Sequence, residues 1–330
     1  MKILMYSTRS YDKLAFRKVL PKYPQITMEF LEASLNPITV ESAKGFDAIC
    51  IFVNDIANRE VIEALKKFGT KMILARCVGT NNIDIEAAKT YGIEVKNVPA
   101  YSPESVAEHA LALLMSVDRR IHQAYGRVRD NNFSLSGLSG YCLHNKTVGI
   151  IGLGRIGQAF ARICYGLGMH VIAYDPILTG ESTYITMPND TGTAFQVKLV
   201  DLNTLYEMSD VISIHVPLTK KTKHLINAEA MERMKDDVIL INVSRGELVD
   251  TKTLIEYNKK RKFFGIGLDV YEGEEENAFI NHEDDILMNN KYLPELLSCP
   301  NVIVTSHQAF LTDIALQQIA VTTLDNCVNE

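Results

Sequence analysis

Several features are missing from this 330-residue chain. Its six cysteines (Cys50, Cys77, Cys142, Cys164, Cys299 and Cys327) form no C-x-x-C pair. That excludes the spacing of a zinc ribbon or a thioredoxin-type redox motif, and no metal site is expected. No apolar run approaches the ~18 residues that a membrane span requires. The longest, such as 48–53 and 110–115, are core-sized. Positive charge is not in excess: 34 Lys and Arg against 40 Asp and Glu leave a net charge of −6. Neither a nucleic-acid footprint nor a polybasic membrane patch is therefore expected. After Met1 and Lys2, only Ile3, Leu4 and Met5 stand clearly apolar before the polar run Ser7-Thr8-Arg9-Ser10, too little for the core of a signal peptide. Scattered thiols without such a leader predict a reduced, cytoplasmic protein. No tandem repeat of ~20–50 residues is present.

What remains is an ordinary globular composition, 47% hydrophobic and 22% charged. At roughly 150 residues per domain the length suggests about two domains. Short β-branched runs at 2–7, 26–31, 48–53, 72–75 and 93–96 alternate with helical stretches near 13–20, 59–68 and 85–91. That alternation predicts a parallel sheet covered by helices, a first small α/β domain. Pro99, Tyr101, Ser102 and Pro103 then mark a boundary. Ser102 can cap a helix and Pro103 suits its first turn. Val106, Ala110, Leu113, Leu114, Val117 and Ile121 follow at helical spacing. After a polar stretch at 131–140, strands are predicted at 147–151, 170–174, 197–200, 211–215, 238–242 and 265–269. About six strands is the number expected for a dinucleotide-binding sheet. The long polar segment 179–196 receives no element. A last strand at 302–305 precedes a helix from Asp313 onward.

The strand 147–151 runs directly into Gly152-Leu153-Gly154-Arg155-Ile156-Gly157, and a helix follows with Ala159, Phe160, Ile163 and Leu167 on one face. In such a G-x-G-x-x-G turn Gly152 permits the tight bend. Gly154 admits a pyrophosphate to the backbone, and Gly157 lets helix and strand pack closely. The helix N-terminus then holds the phosphates. Asp175 ends the next strand, near the position ~20 residues on where a ribose-binding carboxylate belongs. A carboxylate there repels a 2′-phosphate, so NAD is predicted rather than NADP.

Two further strand ends carry chemistry. Arg245, in Val243-Ser244-Arg245-Gly246, can clamp a carboxylate or carbonyl, or can pair with Glu247 on the surface. His307, after the strand 302–305, suits proton transfer near neutrality, as do seven other histidines. Asp269 ends the strand between them, and Glu274 follows in the next loop. The run Glu274-Glu275-Glu276 reads as a solvated loop, and the sequence alone does not pair Glu274 with His307.

The chain resembles the D-2-hydroxyacid dehydrogenase family over nearly its whole length. The resemblance rests on Asn97-Val98-Pro99-Ala100-Tyr101-Ser102-Pro103, the turn 152–157, His215-Val216-Pro217-Leu218-Thr219, and the segments 242–250, 267–274 and 305–312. Tyr6-Ser7-Thr8, Cys50-Ile51-Phe52-Val53-Asn54-Asp55 and the block 127–138 are similar to its bacterial, fermentative D-lactate branch in particular. The resemblance implies two doubly wound parallel-sheet domains with a cleft between them. A flavodoxin-like substrate domain would comprise 1–101 and 300–330, and a Rossmann NAD domain 102–299. It implies His307 as general acid in keto-acid reduction, Glu274 as its hydrogen-bonded partner, and Arg245 as the group that binds substrate and polarises its ketone. Val78 and Gly79 would offer N–H groups to the substrate carboxylate beside Tyr101, with Phe310 as a pocket wall. Arg155, Ile156, Asp175, Val216, Pro217, Val243, Ser244 and Asp269 would line the NAD site together with the glycines.

The activity implied is NAD-dependent reduction of pyruvate to D-lactate by a homodimer or homotetramer. A larger 2-keto acid, such as phenylpyruvate or 2-ketoisocaproate, is the alternative substrate. An NAD-sensing corepressor is the alternative from another class, and the absence of a long tail after the last helix speaks against it.

Overall fold

The computed structural model describes residues 1–178, 184–188, 194–274 and 290–328. The chain divides into two compact units.

The first unit joins Met1–Ser102 to the C-terminal segment that starts at Phe310. Its sheet contains β1 (Lys2–Met5), β2 (Thr27–Phe30), β3 (Ala48–Ile51), β4 (Met72–Ala75) and β5 (Glu94–Asn97). The order is β2-β1-β3-β4-β5, and every pairing is parallel. Strands β3 and β4 are covered on both faces, so AICI and MILA are apolar without alternation. The helices Ser10–Val19 and Asp313–Asp325 contribute Phe16, Val19, Ala320 and Leu324 to a cluster with Ile3, Met5, Cys50 and Leu74. The C-terminal helix therefore belongs to the first unit's core. The chain order reverses between β1 and β3, so in this flavodoxin-type order a ligand site is expected beyond the carboxyl ends of those strands.

The second unit spans Pro103–Ala309. It contains β6 (Thr147–Ile151), β7 (His170–Tyr174), β8 (Tyr184–Pro188), β9 (Ala194–Leu199), β10 (Val211–Ile214), β11 (Val238–Asn242), β12 (Phe263–Leu268) and β13 (Val302–Val304). The sheet order is β13-β12-β11-β10-β6-β7-β9-β8. The inner run from β9 to β12 reproduces the 3-2-1-4-5-6 order of a dinucleotide-binding sheet.

Two strands extend it beyond the six expected. β8 pairs antiparallel with β9 inside the segment left without structure by sequence reading. Its alternation is short, yet it buries Met187, and β9 buries Phe195 and Val197 in the same core cluster. Residues 179–183 and 189–193 of that segment lie outside the described residues. β13 pairs with β12. The expected domain boundary at 299/300 is thus corrected: a strand hydrogen-bonded into the second sheet stays with it, and the units divide after Ala309.

The helix expected through Ile121 also differs. It runs Pro103–Asp118, the chain turns at Arg120 with φ +52°, and a separate helix Ile121–Arg129 follows. The first of these packs tightly on β12. A Cβ at Gly265 would stand 3.0 Å from Val117 Cβ, and one at Gly267 would stand 3.0 Å from Leu113 Cβ.

All six cysteines are free, with Cys50, Cys77 and Cys164 buried. Among the described residues no helix is long and apolar enough to cross a membrane, and no cluster of three or more His, Cys, Asp or Glu could hold a metal ion.

Candidate active site

The phosphate-binding turn has the geometry its glycines predict. Gly152 has φ +95°, and a Cβ there would lie 2.6 Å from His215 O and 2.7 Å from Val216 Cγ1. The β10 loop carrying Val216 and Pro217 therefore closes directly on the turn. A Cβ at Gly157 would lie 2.0 Å from Gly152 O, so only glycine fits there. Gly154 is the opposite case. It is exposed, and a Cβ would meet no protein atom within 4 Å. The turn thus leaves an open cradle at the N-terminus of the helix Arg155–Gly166, where Arg155 and Ile156 form the first turn. Such a cradle fits the pyrophosphate of a dinucleotide.

Asp175 is half-buried at the end of β7. Its Oδ2 accepts the Leu153 N–H at 2.8 Å and its Oδ1 accepts the Ile177 N–H at 2.9 Å. The carboxylate is therefore pinned at the turn, with lone pairs left for ribose hydroxyls. Replacing Asp175 with alanine is expected to lower the ratio of kcat/KM for NADH over NADPH by at least about tenfold, since like-charge repulsion of the 2′-phosphate disappears. It should also raise the KM for NADH, because Leu153 loses its anchor. An unchanged ratio removes the ribose role.

At the same carboxyl edge, Arg245 follows β11, Asp269 and Glu274 follow β12, and His307 follows β13. Glu274 Oε1 lies 3.0 Å from His307 Nδ1. Glu274 is only 8% exposed, so its reading as a solvated loop residue is corrected. The carboxylate engages Nδ1 and orients the ring. His307 adopts φ +55°, a left-handed conformation unusual for a residue with a Cβ and characteristic of constrained functional sites.

Arg245 does not pair with Glu247, which takes Lys223 at 2.7 Å. Arg245 Nη1 instead donates to Ser244 O at 2.7 Å, and among the described residues no carboxylate lies within 4 Å of its guanidinium. Its loop abuts the Glu274 loop, since a Cβ at Gly246 would lie 2.2 Å from the Tyr271 carbonyl carbon. Ser244 Oγ donates to Ile214 O at 3.0 Å, tying the Val243-Ser244 segment to β10.

Asp269, expected to line the NAD site, lies just past β12 at the same edge. It is fully buried, and its carboxylate turns onto the loop that carries His307. Oδ1 accepts the Gln308 N–H and Oδ2 the Ala309 N–H, both at 2.9 Å. Sequence reading missed its partner His109, whose Nε2 stands 3.2 Å from Oδ1. Helical spacing alone could have shown only that His109 lies one turn before Leu113.

In the first unit, Val78 and Gly79 follow β4. Val78 is exposed, and among the described residues neither N–H has a hydrogen-bond partner. Two adjacent unpaired donors suit a carboxylate. The Phe310 ring meets Tyr101 at 6.2 Å and Phe52 at 6.0 Å between centroids. Phe52, not singled out beforehand, also lies under the fully buried Arg76 guanidinium at 4.6 Å. Arg76 is held in turn by Asp12 at 3.2 Å.

The profile of the D-isomer specific 2-hydroxyacid dehydrogenase NAD binding domain matches residues 111–309. The chain is 45% identical over 329 residues to the D-lactate dehydrogenase of Escherichia coli K12, covering all of this chain and 96% of that protein. The chain belongs to the D-isomer specific 2-hydroxyacid dehydrogenase family. It is an NAD-dependent oxidoreductase. Among solved structures, the pyruvate reductase of Chlamydomonas reinhardtii superposes with a TM-score of 0.89 at 39% identity, over 99% of this chain and 95% of that one. A D-2-hydroxyisocaproate dehydrogenase superposes with a TM-score of 0.85 at 33% identity, over 99% and 96%.

Proposed function

We propose that this dehydrogenase reduces pyruvate to D-lactate, the fermentative direction that regenerates NAD. The observation that carries the reading is the His307–Glu274 pair on the edge that holds the nucleotide turn. The 45% identity to a D-lactate dehydrogenase supports the choice of substrate. The cofactor, when bound, supplies the hydride that reduces the keto carbon. Gly152, Gly154, Gly157, Arg155 and Ile156 hold its phosphates and Asp175 its ribose. Val216, Pro217, Val243 and Ser244 line the remainder of its site. His307 Nε2 delivers a proton to the ketone oxygen, and Glu274 steadies the ring and its positive charge. Arg245 binds the keto acid and stabilises the negative charge developing on that oxygen. Val78 and Gly79 receive the substrate carboxylate. Tyr101 and Phe310 restrict the space for the substrate side chain, which favours a methyl group.

Steady-state kcat/KM for pyruvate against phenylpyruvate and 2-ketoisocaproate tests the substrate. Pyruvate is expected to lead by at least about tenfold, the scale that pocket size can supply. A preference for either larger acid overturns it. The corepressor reading is not retained, because the full-length relative at 45% identity is a D-lactate dehydrogenase.

We further propose a cytoplasmic homodimer or homotetramer. The free buried thiols and the exposed apolar residues Ile121, Tyr125, Val128, Phe133 and Leu135 support it. A monomeric mass by light scattering removes the oligomer.

A further inference from the structure

His109 stands on the helix Pro103–Asp118, one turn before the residue that packs on Gly267 of β12. Its Nε2 lies 3.1 Å from Thr305 Oγ1 and 3.2 Å from Asp269 Oδ1. Thr305 Oγ1 lies 2.6 Å from the same Asp269 oxygen. The hydrogens can be assigned. A hydroxyl has one hydrogen, and the ionised carboxylate can only accept, so the Thr305 hydrogen goes to Asp269. His109 Nε2 must then carry the hydrogen it shares between the hydroxyl and carboxylate oxygens. Burial pushes the Asp269 carboxyl up, but the hydrogen bonds from His109 and Thr305 outweigh it and leave the group below its ordinary range.

On its other side Asp269 holds the catalytic loop. Its backbone carbonyl accepts the His307 N–H at 2.8 Å, and its carboxylate accepts those of Gln308 and Ala309. These bonds maintain His307 in its left-handed conformation, which is unfavourable for an L-residue.

We propose that His109 is a positioning residue for the dehydrogenase reaction: acting with Thr305 through Asp269, it fixes the loop that aims His307. His109 touches neither substrate nor nucleotide in this scheme, and Asp269 holds the loop. The inference rests on His307 being the proton donor.

The test compares His109→Leu, His109→Gln and Thr305→Val, each alone and with His307→Gln, using pyruvate and NADH. His109→Leu is expected to lower kcat by about tenfold or more, within the ~10²-fold that a 1 Å misplacement can cost. Its KM for NADH should stay within about twofold, since uniform binding is untouched. Glutamine places an amide N–H near the lost Nε2–H, so His109→Gln should recover most of the loss. Thr305→Val, nearly isosteric, should reproduce the defect and guards against a leucine variant that fails to fold.

In the His307→Gln background His109→Leu should cost nothing more, because the group it positions is gone. Near-normal kcat in both His109→Leu and Thr305→Val overturns the proposal, as does an undiminished further loss in the His307→Gln background. Full activity of His307→Gln alone overturns the underlying proton-donor reading instead, so the two failures are distinguishable.

Discussion

Replacing His307 with glutamine is expected to lower kcat for keto-acid reduction by roughly a hundredfold or more, the contribution of a positioned general acid. Glutamine is similar in length, lacks a β-branch and can still donate a hydrogen bond to Glu274. The left-handed backbone at this position and the Asp269 cradle around it are therefore retained. What is lost is a group that can give up a proton at neutral pH. NADH affinity should change little, because the turn at Gly152–Gly157 and the Asp175 carboxylate are built by β6 and β7, far along the sheet from β13. Steady-state kcat together with an NADH fluorescence titration separates the two quantities. Turnover near that of the unaltered enzyme would take His307 out of the mechanism.

The second large effect is a contrast between two glycines three residues apart. Gly157→Ala forces a methyl group against Gly152 O, a contact of 2.0 Å that must be relieved by moving either the helix or the turn. Overpacking of this kind costs about 1–3 kcal/mol. If the turn yields, NADH affinity should fall by about ten- to a hundredfold, and the thermal midpoint should fall with it. Gly154→Ala adds the same methyl where no protein atom stands within 4 Å. Its stability should match the unaltered chain while NADH affinity drops, because the methyl occupies the approach of the pyrophosphate. Thermal unfolding without ligand, paired with NADH titration, reads both. A Gly154→Ala variant that binds NADH normally would show that the phosphates do not use this cradle.

The nucleotide turn was legible because its parts are contiguous. An apolar strand, three glycines and an amphipathic helix follow one another directly, and Asp175 stands one strand further on. The backbone constraints at Gly152 and Gly157 are properties of short segments, so spacing carries them. The first sheet was legible for a related reason, since β3 and β4 announce double burial by uninterrupted apolar residues. The strand β8 and the start of β9 were not, although a strand was expected at 197–200. Their inward side chains alternate over only a few positions among polar neighbours, and antiparallel pairing at a sheet edge leaves no longer pattern.

Composition and local order determined that this chain is an α/β protein with a dinucleotide-type glycine turn and an acid at the end of the next strand. Family resemblance attached a role to each of His307, Glu274 and Arg245. Only the tertiary structure decided which imidazole meets which carboxylate. Glu274 and His307 are 33 residues apart, and His109 and Thr305 are 196 apart. They meet because β12 and β13 are neighbours in one parallel sheet and a helix lies across them at glycine distance. Such pairings depend on sheet register and helix approach, long-range packing quantities that no window of sequence contains. That is why Glu274 reads as part of a solvated loop in the sequence and stands, in the fold, as the buried partner of the His307 ring.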